Sequence, residues 1–409
     1  MKRIIRKVTS IFIATAIVAA MGLASLAAEN IPGNGNVIGS KNPADPVEKT
    51  LVIEKELTVY NPDTTEVYAP NVTYNYAIAG IDANKLVTDS DGVSARTKEG
   101  PSGATITSEI KWENTEKVQA NSTGFSNTKN LTIDLSSVTF TGAGVYRYQI
   151  TETCSDKAAN GVTEGTIAEV RYLDVYVRDP RTGETGYQIY GYVLFENNND
   201  IDGTDNASVE AAVKTEGFVK TDSLTADSYY TYNVSVTKTL VNDQANESHA
   251  FPFAFTFTKA SGVTGDFNLI ASYAATSATA MDATVSTTIA HNNTVTYTGI
   301  PCGTTVNIVE TNDVATATYK VTTTGADANI AADDDVLLNF NESTDAAAVE
   351  INSNAVDAAG TDFDVTFTNT FELISPTGVA MAVLPFVILL AFGIGFMVVS
   401  TKKRKEEQA

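Results

Sequence analysis

Four phenylalanines at alternate positions, Phe251, Phe253, Phe255 and Phe257, constrain the fold most. A period of two places all four rings on one face of an extended strand. Pro252 among them argues that this strand begins there or lies at an edge, because proline has no N–H for a ladder. Leu51-Val52-Ile53, Tyr172 to Val177 and Val234-Ser235-Val236 also alternate or run β-branched, as strands do. Asp179-Pro180-Arg181-Thr182-Gly183 and Asn242-Asp243 mark turns. No stretch has a convincing amphipathic helical period. The chain is predicted to be all-β.

The two ends have a different character. Lys2, Arg3, Arg6 and Lys7 precede an apolar run from Ile11 to Leu26, and Ser25-Leu26-Ala27 has the small-x-small form of a cleavage site. Residues 1–28 are therefore expected to be a signal peptide. Val379 to Val399 carries no charge, is long enough to span a bilayer, and is followed by Lys402, Lys403, Arg404 and Lys405. Such a basic cluster should stay in the cytoplasm, leaving the bulk of the chain outside the cell. The exported stretch of about 350 residues suits two β-domains.

The full chain of 409 residues has a formal charge of −22. Residues 1–28 contribute four positive charges and residues 378–409 a net two, so the stretch between them carries −28. That surface repels nucleic acid and anionic lipid. Two cysteines, Cys154 and Cys302, are too few for a disulfide-built fold and are expected to be free thiols. With two cysteines and two histidines there is no zinc-type ligand spacing. No motif of a serine hydrolase, metalloprotease or nucleotide-binding loop occurs, and no metal or other cofactor is expected. Asn198, Asp200, Asp202 and Gly203 have the spacing that opens a calcium loop, but position twelve is Val209, with Glu210 one step late; a solvated acidic turn is expected instead.

Two halves of the exported region look related. Each opens with an apolar run ending in lysine, Leu51 to Lys55 and Val234 to Lys238. Each later has a run ending in glutamate, Tyr148 to Glu152 and Val306 to Glu310. The second half closes on Phe367-Thr368-Asn369-Thr370; its nearest counterpart in the first is Phe218-Val219-Lys220-Thr221, with lysine where the carboxamide stands.

At these residues the chain resembles the backbone pilins of Gram-positive bacteria, built from streptococcal pilin isopeptide-linkage domains. The run Gly142-Ala143-Gly144-Val145-Tyr146-Arg147-Tyr148-Gln149-Ile150-Thr151-Glu152 carries the resemblance most strongly, followed by Tyr172-Leu173-Asp174-Val175-Tyr176-Val177. The resemblance implies two tandem immunoglobulin-like β-sandwich domains, at 49–230 and 231–372, after a linker at 29–48. It also implies a Lys–Asn isopeptide bond between the first and last strands of each domain, formed with the help of a glutamate. In the second domain Lys238 is then the donor, Glu310 the catalyst and Asn369 the acceptor. In the first, Lys55 and Glu152 match, while Lys220 cannot accept an amine; Asp227 is the favoured acceptor and Asn197 its competitor. Burial suits this chemistry, since it disfavours the ammonium and raises the pKa of a carboxyl that must lend a proton.

Ile374-Ser375-Pro376-Thr377-Gly378, directly before the apolar span, resembles a sortase sorting signal cut between Thr377 and Gly378, so that 373–409 is a sorting region. Its first two residues depart from the usual Leu-Pro-x-Thr-Gly form. Polymerisation in the family uses a lysine before the first domain's closing strand. That position falls to Lys214, beside an expected exposed turn at Thr215-Glu216-Gly217, with Lys220 as the competitor. The implied partners are other copies of the chain, joined by a sortase, and cell-wall peptidoglycan, with a host surface ligand as a further candidate. The implied role is a subunit of a wall-anchored pilus rather than an enzyme. A monomeric surface adhesin is the alternative, and a wall-degrading enzyme lacks a catalytic pair.

Overall fold

The computed structural model describes residues 37–39, 46–82, 84–88, 94–200, 213–241, 248–272, 284–311, 317–324, 336–339, 346–352 and 362–371. For the strands at 37–39, 317–324, 336–339 and 346–352 the backbone alone is described. The signal peptide, the expected turn at Asn242-Asp243, the sorting region at 373–409 with its motif Ile374 to Gly378, apolar span and basic cluster, and Asp202, Gly203, Val209 and Glu210 lie outside these residues.

The described chain is all-β, with a single 3-10 turn at Ala158–Asn160. Its apolar side chains gather into two cores. One runs from Leu51 to Tyr229 and the other from Tyr232 to Phe367. The expected alternation holds: Phe251, Phe253, Phe255 and Phe257 lie in the strand Ala250–Thr258 and are all buried in the second core. Pro252 has a strand partner on one side only, Thr288, because the ladder to the strand Thr305–Thr311 starts at Phe253. The missing N–H is therefore tolerated.

Around the first core, one sheet carries Gln188–Phe195, Val170–Arg178, Gly144–Thr153, Val72–Gly80 and Glu109–Trp112 in that order. Facing it is a sheet in which Thr50–Tyr60 lies next to Phe125–Asp134. Around the second core, the sheet of Thr284–Ala290, Ala250–Thr258, Thr305–Thr311 and Ala346–Asn352 faces one containing Ala317–Thr324 and Phe363–Phe371. The turn after Val170–Arg178 is as expected: Gly183 takes a positive φ of 92°, and Arg178 Nη1 meets Glu184 Oε2 at 2.6 Å.

One strand, Asp227–Val241, serves both cores. Its start, Asp227 to Tyr230, runs parallel to Leu57–Tyr60 of the first strand. Its remainder pairs antiparallel with Thr294–Pro301 and parallel with Phe363–Phe371. The expected boundary at 230/231 falls inside this continuous 15-residue strand, next to the stacked rings of Tyr60 and Tyr230 at 4.5 Å.

Candidate functional site

Lys55 and Lys238 stand in mid-strand, not at strand ends: Thr50–Tyr60 and Asp227–Val241 continue past them. Alternation turns both side chains inward among apolar neighbours. Lys238 is fully buried and Lys55 is 2% exposed. A buried ammonium is tolerated only when paired, and each lysine is.

In the second core, Lys238 Nζ lies 2.8 Å from Glu310 Oε1 and 3.0 Å from Oε2. Asn369 Nδ2 donates to Glu310 Oε1 at 2.8 Å. All three residues are fully buried, and the Phe251 ring covers the ammonium at 4.4 Å. Glu310 reaches across from the facing sheet, while Lys238 and Asn369 sit on adjacent parallel strands. Asn369 Oδ1 is buried with no hydrogen-bond partner. Which amide atom faces Glu310 follows its protonation: a carboxylate takes the N–H₂, whereas a carboxylic acid would donate to the carbonyl.

The first core repeats the arrangement. Lys55 Nζ donates to Glu152 Oε1 at 2.9 Å and to Asp227 Oδ2 at 3.1 Å. Tyr76 donates its hydroxyl to Glu152 Oε2 at 2.6 Å, and Gly165 donates its backbone N–H to Asp227 Oδ1 at 2.9 Å. The Lys55 ammonium lies 4.1 Å from the Tyr74 ring centre. Burial, and next the neighbouring Glu152, drive the Tyr76 phenol well above its ordinary pKa, so it stays a donor. Burial alone would raise the Asp227 carboxyl, but Lys55, the Gly165 N–H and Lys157 together hold it below its ordinary value.

The two clusters share one register. Phe367 lies opposite Lys238, and Asn369 lies opposite Leu240, two residues on. Phe218 lies opposite Lys55, and Asp227 lies opposite Leu57, again two residues on. In the second core one strand supplies both positions. In the first, Gly217–Phe218 supplies one and Asp227–Val241 the other, with residues 219–226 looping out between them. Gly217 enters this sheet at φ 152°, and a Cβ there would come within 2.2 Å of the Glu54 carbonyl oxygen.

The other expected residues are placed as follows. Lys220 leaves the sheet with that loop; it is exposed, its N–H bonds to Glu56 Oε2 at 2.9 Å and its ammonium lies 3.6 Å from Glu56 Oε1. Asn197 is half-buried, and its contacts do not include Lys55. Lys214 is half-buried and bridges Phe195, and burial lowers its amine pKa. The turn expected beside it is exposed only at Glu216. Thr215 and Gly217 are buried, because Thr215 donates its N–H to Leu194 O and Gly217 pairs with the first strand. Neither Cys154 nor Cys302 is in a disulfide, and burial pushes the Cys154 thiol up to about 12. Asn198 Oδ1 accepts from Arg147 and Asp200 Oδ1 accepts from Leu86 N–H, so both oxygens serve the fold. The described residues contain no group of three or more metal-ligating side chains. Sequence reading missed Tyr76, Gly165 and Lys157, none of which has a counterpart in the Lys–Glu–Asn pattern.

Residues 232–344 match the profile of a domain of unknown function, DUF7601. Over 396 residues, covering 93% of this chain and 96% of the other, the sequence is 26% identical to a protein of Streptococcus pyogenes serotype M1. That relative is a pilin. The major pilin protein T3.2 of S. pyogenes serotype GAS13637 is 17% identical, covers 80% of this chain and all of its own, and has a TM-score of 0.39. The major pilin of S. pyogenes is 18% identical, covers 79% of this chain and 98% of its own, and also scores 0.39.

Proposed function

We propose that the chain is the structural subunit of a covalently polymerised, cell-wall-anchored pilus, with domains at 49–230 and 231–372 that each form an internal isopeptide bond. The observation that carries this reading is the pair of buried Lys–Glu–acceptor clusters in matched register. Each joins the first strand of a domain to its last. A polar trio so placed is costly to bury as ions, and a neutral amide removes that cost.

In the second domain Glu310 takes a proton from Lys238. The freed amine attacks Asn369 Cγ, the Cγ–Nδ2 bond breaks, and ammonia leaves. Glu310, now a carboxylic acid, polarises the Asn369 carbonyl and relays protons. In the first domain Glu152 does the same for Lys55, held by the Tyr76 hydroxyl. The acceptor there is Asp227, so water leaves instead. Packing supplies the proximity that replaces an encounter between free reactants. Each reaction occurs once, so the chain acts on itself and not on a separate substrate.

A sortase would cut between Thr377 and Gly378 and pass the Thr377 carbonyl to a lysine of the next copy, and finally to peptidoglycan. Lys214 is the proposed acceptor lysine, since its lowered pKa favours the nucleophilic amine. A denaturing gel of wall extracts tests this reading. The wild type should give a ladder of covalent multimers, and Lys214→Ala should leave anchored monomer. A ladder that persists in Lys214→Ala and vanishes in Lys220→Ala would move the linkage to Lys220. No ladder in the wild type would favour the singly anchored adhesin.

A further inference from the structure

The Asp227 carboxylate has a second lysine beside it. Lys157 Nζ lies 3.3 Å from Asp227 Oδ2, the same oxygen that receives Lys55 at 3.1 Å. The other oxygen, Oδ1, is held by the Gly165 N–H at 2.9 Å. The two oxygens therefore have different environments. An acid acceptor needs that distinction, because one oxygen must leave as water while the other stays as the amide carbonyl. An aspartate also brings one more negative charge into the core than an asparagine would. Lys157 balances it.

The surroundings fit a proton donor. Lys157 is at the N-terminal edge of the 3-10 turn Ala158–Asn160, and its side chain is 11% exposed. It also contacts Glu164 Oε1 at 3.3 Å, and Glu164 is 67% exposed. Lys157 thus links the buried Asp227 carboxylate to the exposed Glu164. The turn itself is fixed: Ala159 O accepts N–H bonds from Thr264 and Gly265 of the second domain, each at 2.9 Å. Gly165 is equally constrained, since a Cβ there would come within 2.2 Å of Thr225 O.

We infer that Lys157 and the Gly165 N–H form the acid half of the first site, Lys157 protonating the departing Oδ2 while Gly165 stabilises the charge on Oδ1. This rests on the isopeptide reading above and adds catalytic groups to it. The atoms balance as follows. Lys55 gives one ammonium proton to Glu152, and its nitrogen attacks Asp227 Cγ. The oxyanion that develops on Oδ1 is met by a fixed N–H, as in other acyl transfers. Lys157 lends a proton to Oδ2, the Cγ–Oδ2 bond breaks, and water departs. The second proton lost by the Lys55 nitrogen and the one held by Glu152 complete the water and restore Lys157. One ammonium and one carboxylate have become an amide and a water, and Glu152 and Lys157 end as they began.

The test uses the full exported chain, sampled over time after a short expression, with intact mass and cross-linked-peptide sequencing. In the wild type, a Lys55–Asp227 peptide should be complete at the first time point. Lys157→Met and Lys157→Arg should both close this bond about 100-fold more slowly, the usual loss on removing a general acid. Arginine keeps the charge but cannot release its proton. The ammonia loss from the second domain should be unchanged in both variants, and wild-type protease resistance of residues 49–230 should report that their first domain folds. Closure at the wild-type rate in either variant overturns the role of Lys157, as does a wild-type peptide joining Lys157 itself to Asp227. Absence of any Lys55–Asp227 peptide in the wild type instead overturns the isopeptide reading of this domain.

Discussion

Asn369→Ala should remove the second cross-link while leaving the buried Lys238–Glu310 ion pair in place. That makes it a cleaner perturbation than removing either charge, which would strand the other in the core at a cost of about 3–5 kcal/mol. The proposed bond closes a loop from Lys238 to Asn369, about 130 residues. Chain entropy then gives about 5 kcal/mol of stabilisation. For a domain of this size each kcal/mol moves the melting temperature by about 3–4 °C, so the cross-link alone accounts for about 15–20 °C. Calorimetry on wild type and variant, with intact mass taken on the same samples, measures both quantities. A variant that has lost the bond yet melts within about 3 °C of the wild type would refute the entropic argument.

Three further outcomes are expected. Tyr76→Phe should slow closure of the first bond and lower stability by about 1–2 kcal/mol, because Glu152 Oε2 loses its 2.6 Å donor; mass spectrometry and thermal melts read the two effects. Phe255→Ala should cost about 3–5 kcal/mol, seen in denaturant unfolding of an uncross-linked background, since the ring is fully buried against Tyr297 at 4.7 Å. Glu184 is held at about 2, chiefly by its hydrogen bond from Arg178, so its folded value lies below its unfolded one. Its contribution is therefore fully present above the ordinary glutamate range and lost as pH falls through about 2, and an NMR titration should find Glu184 still ionised at pH 3.

The residues that fold this chain by alternation were legible in its sequence. The Phe251 to Phe257 strand, the strands around Lys55 and Lys238, and the turn at 179–183 all follow from period and turn chemistry. The Lys238, Glu310 and Asn369 trio was legible too, because each member sits in a regular strand and the spacing along the chain carries over to space. The first-core counterpart of Asn369 was harder to read. Phe218 does match Phe367 in register, but the chain leaves the sheet for residues 219–226 before Asp227 takes the next position. A contiguous comparison therefore set Lys220 against Asn369. Lys157 and Gly165 were hidden for a related reason: both lie outside the long strands, where no period links sequence to position. The continuity of Asp227–Val241 was also invisible, since nothing in its pattern changes where it passes from one core to the other.

The mass of the intact exported chain tests the central claim most directly. Two closed bonds, one with loss of ammonia and one with loss of water, predict a deficit of about 35 Da from the sequence mass. The unmodified sequence mass in the folded wild-type protein would contradict the account.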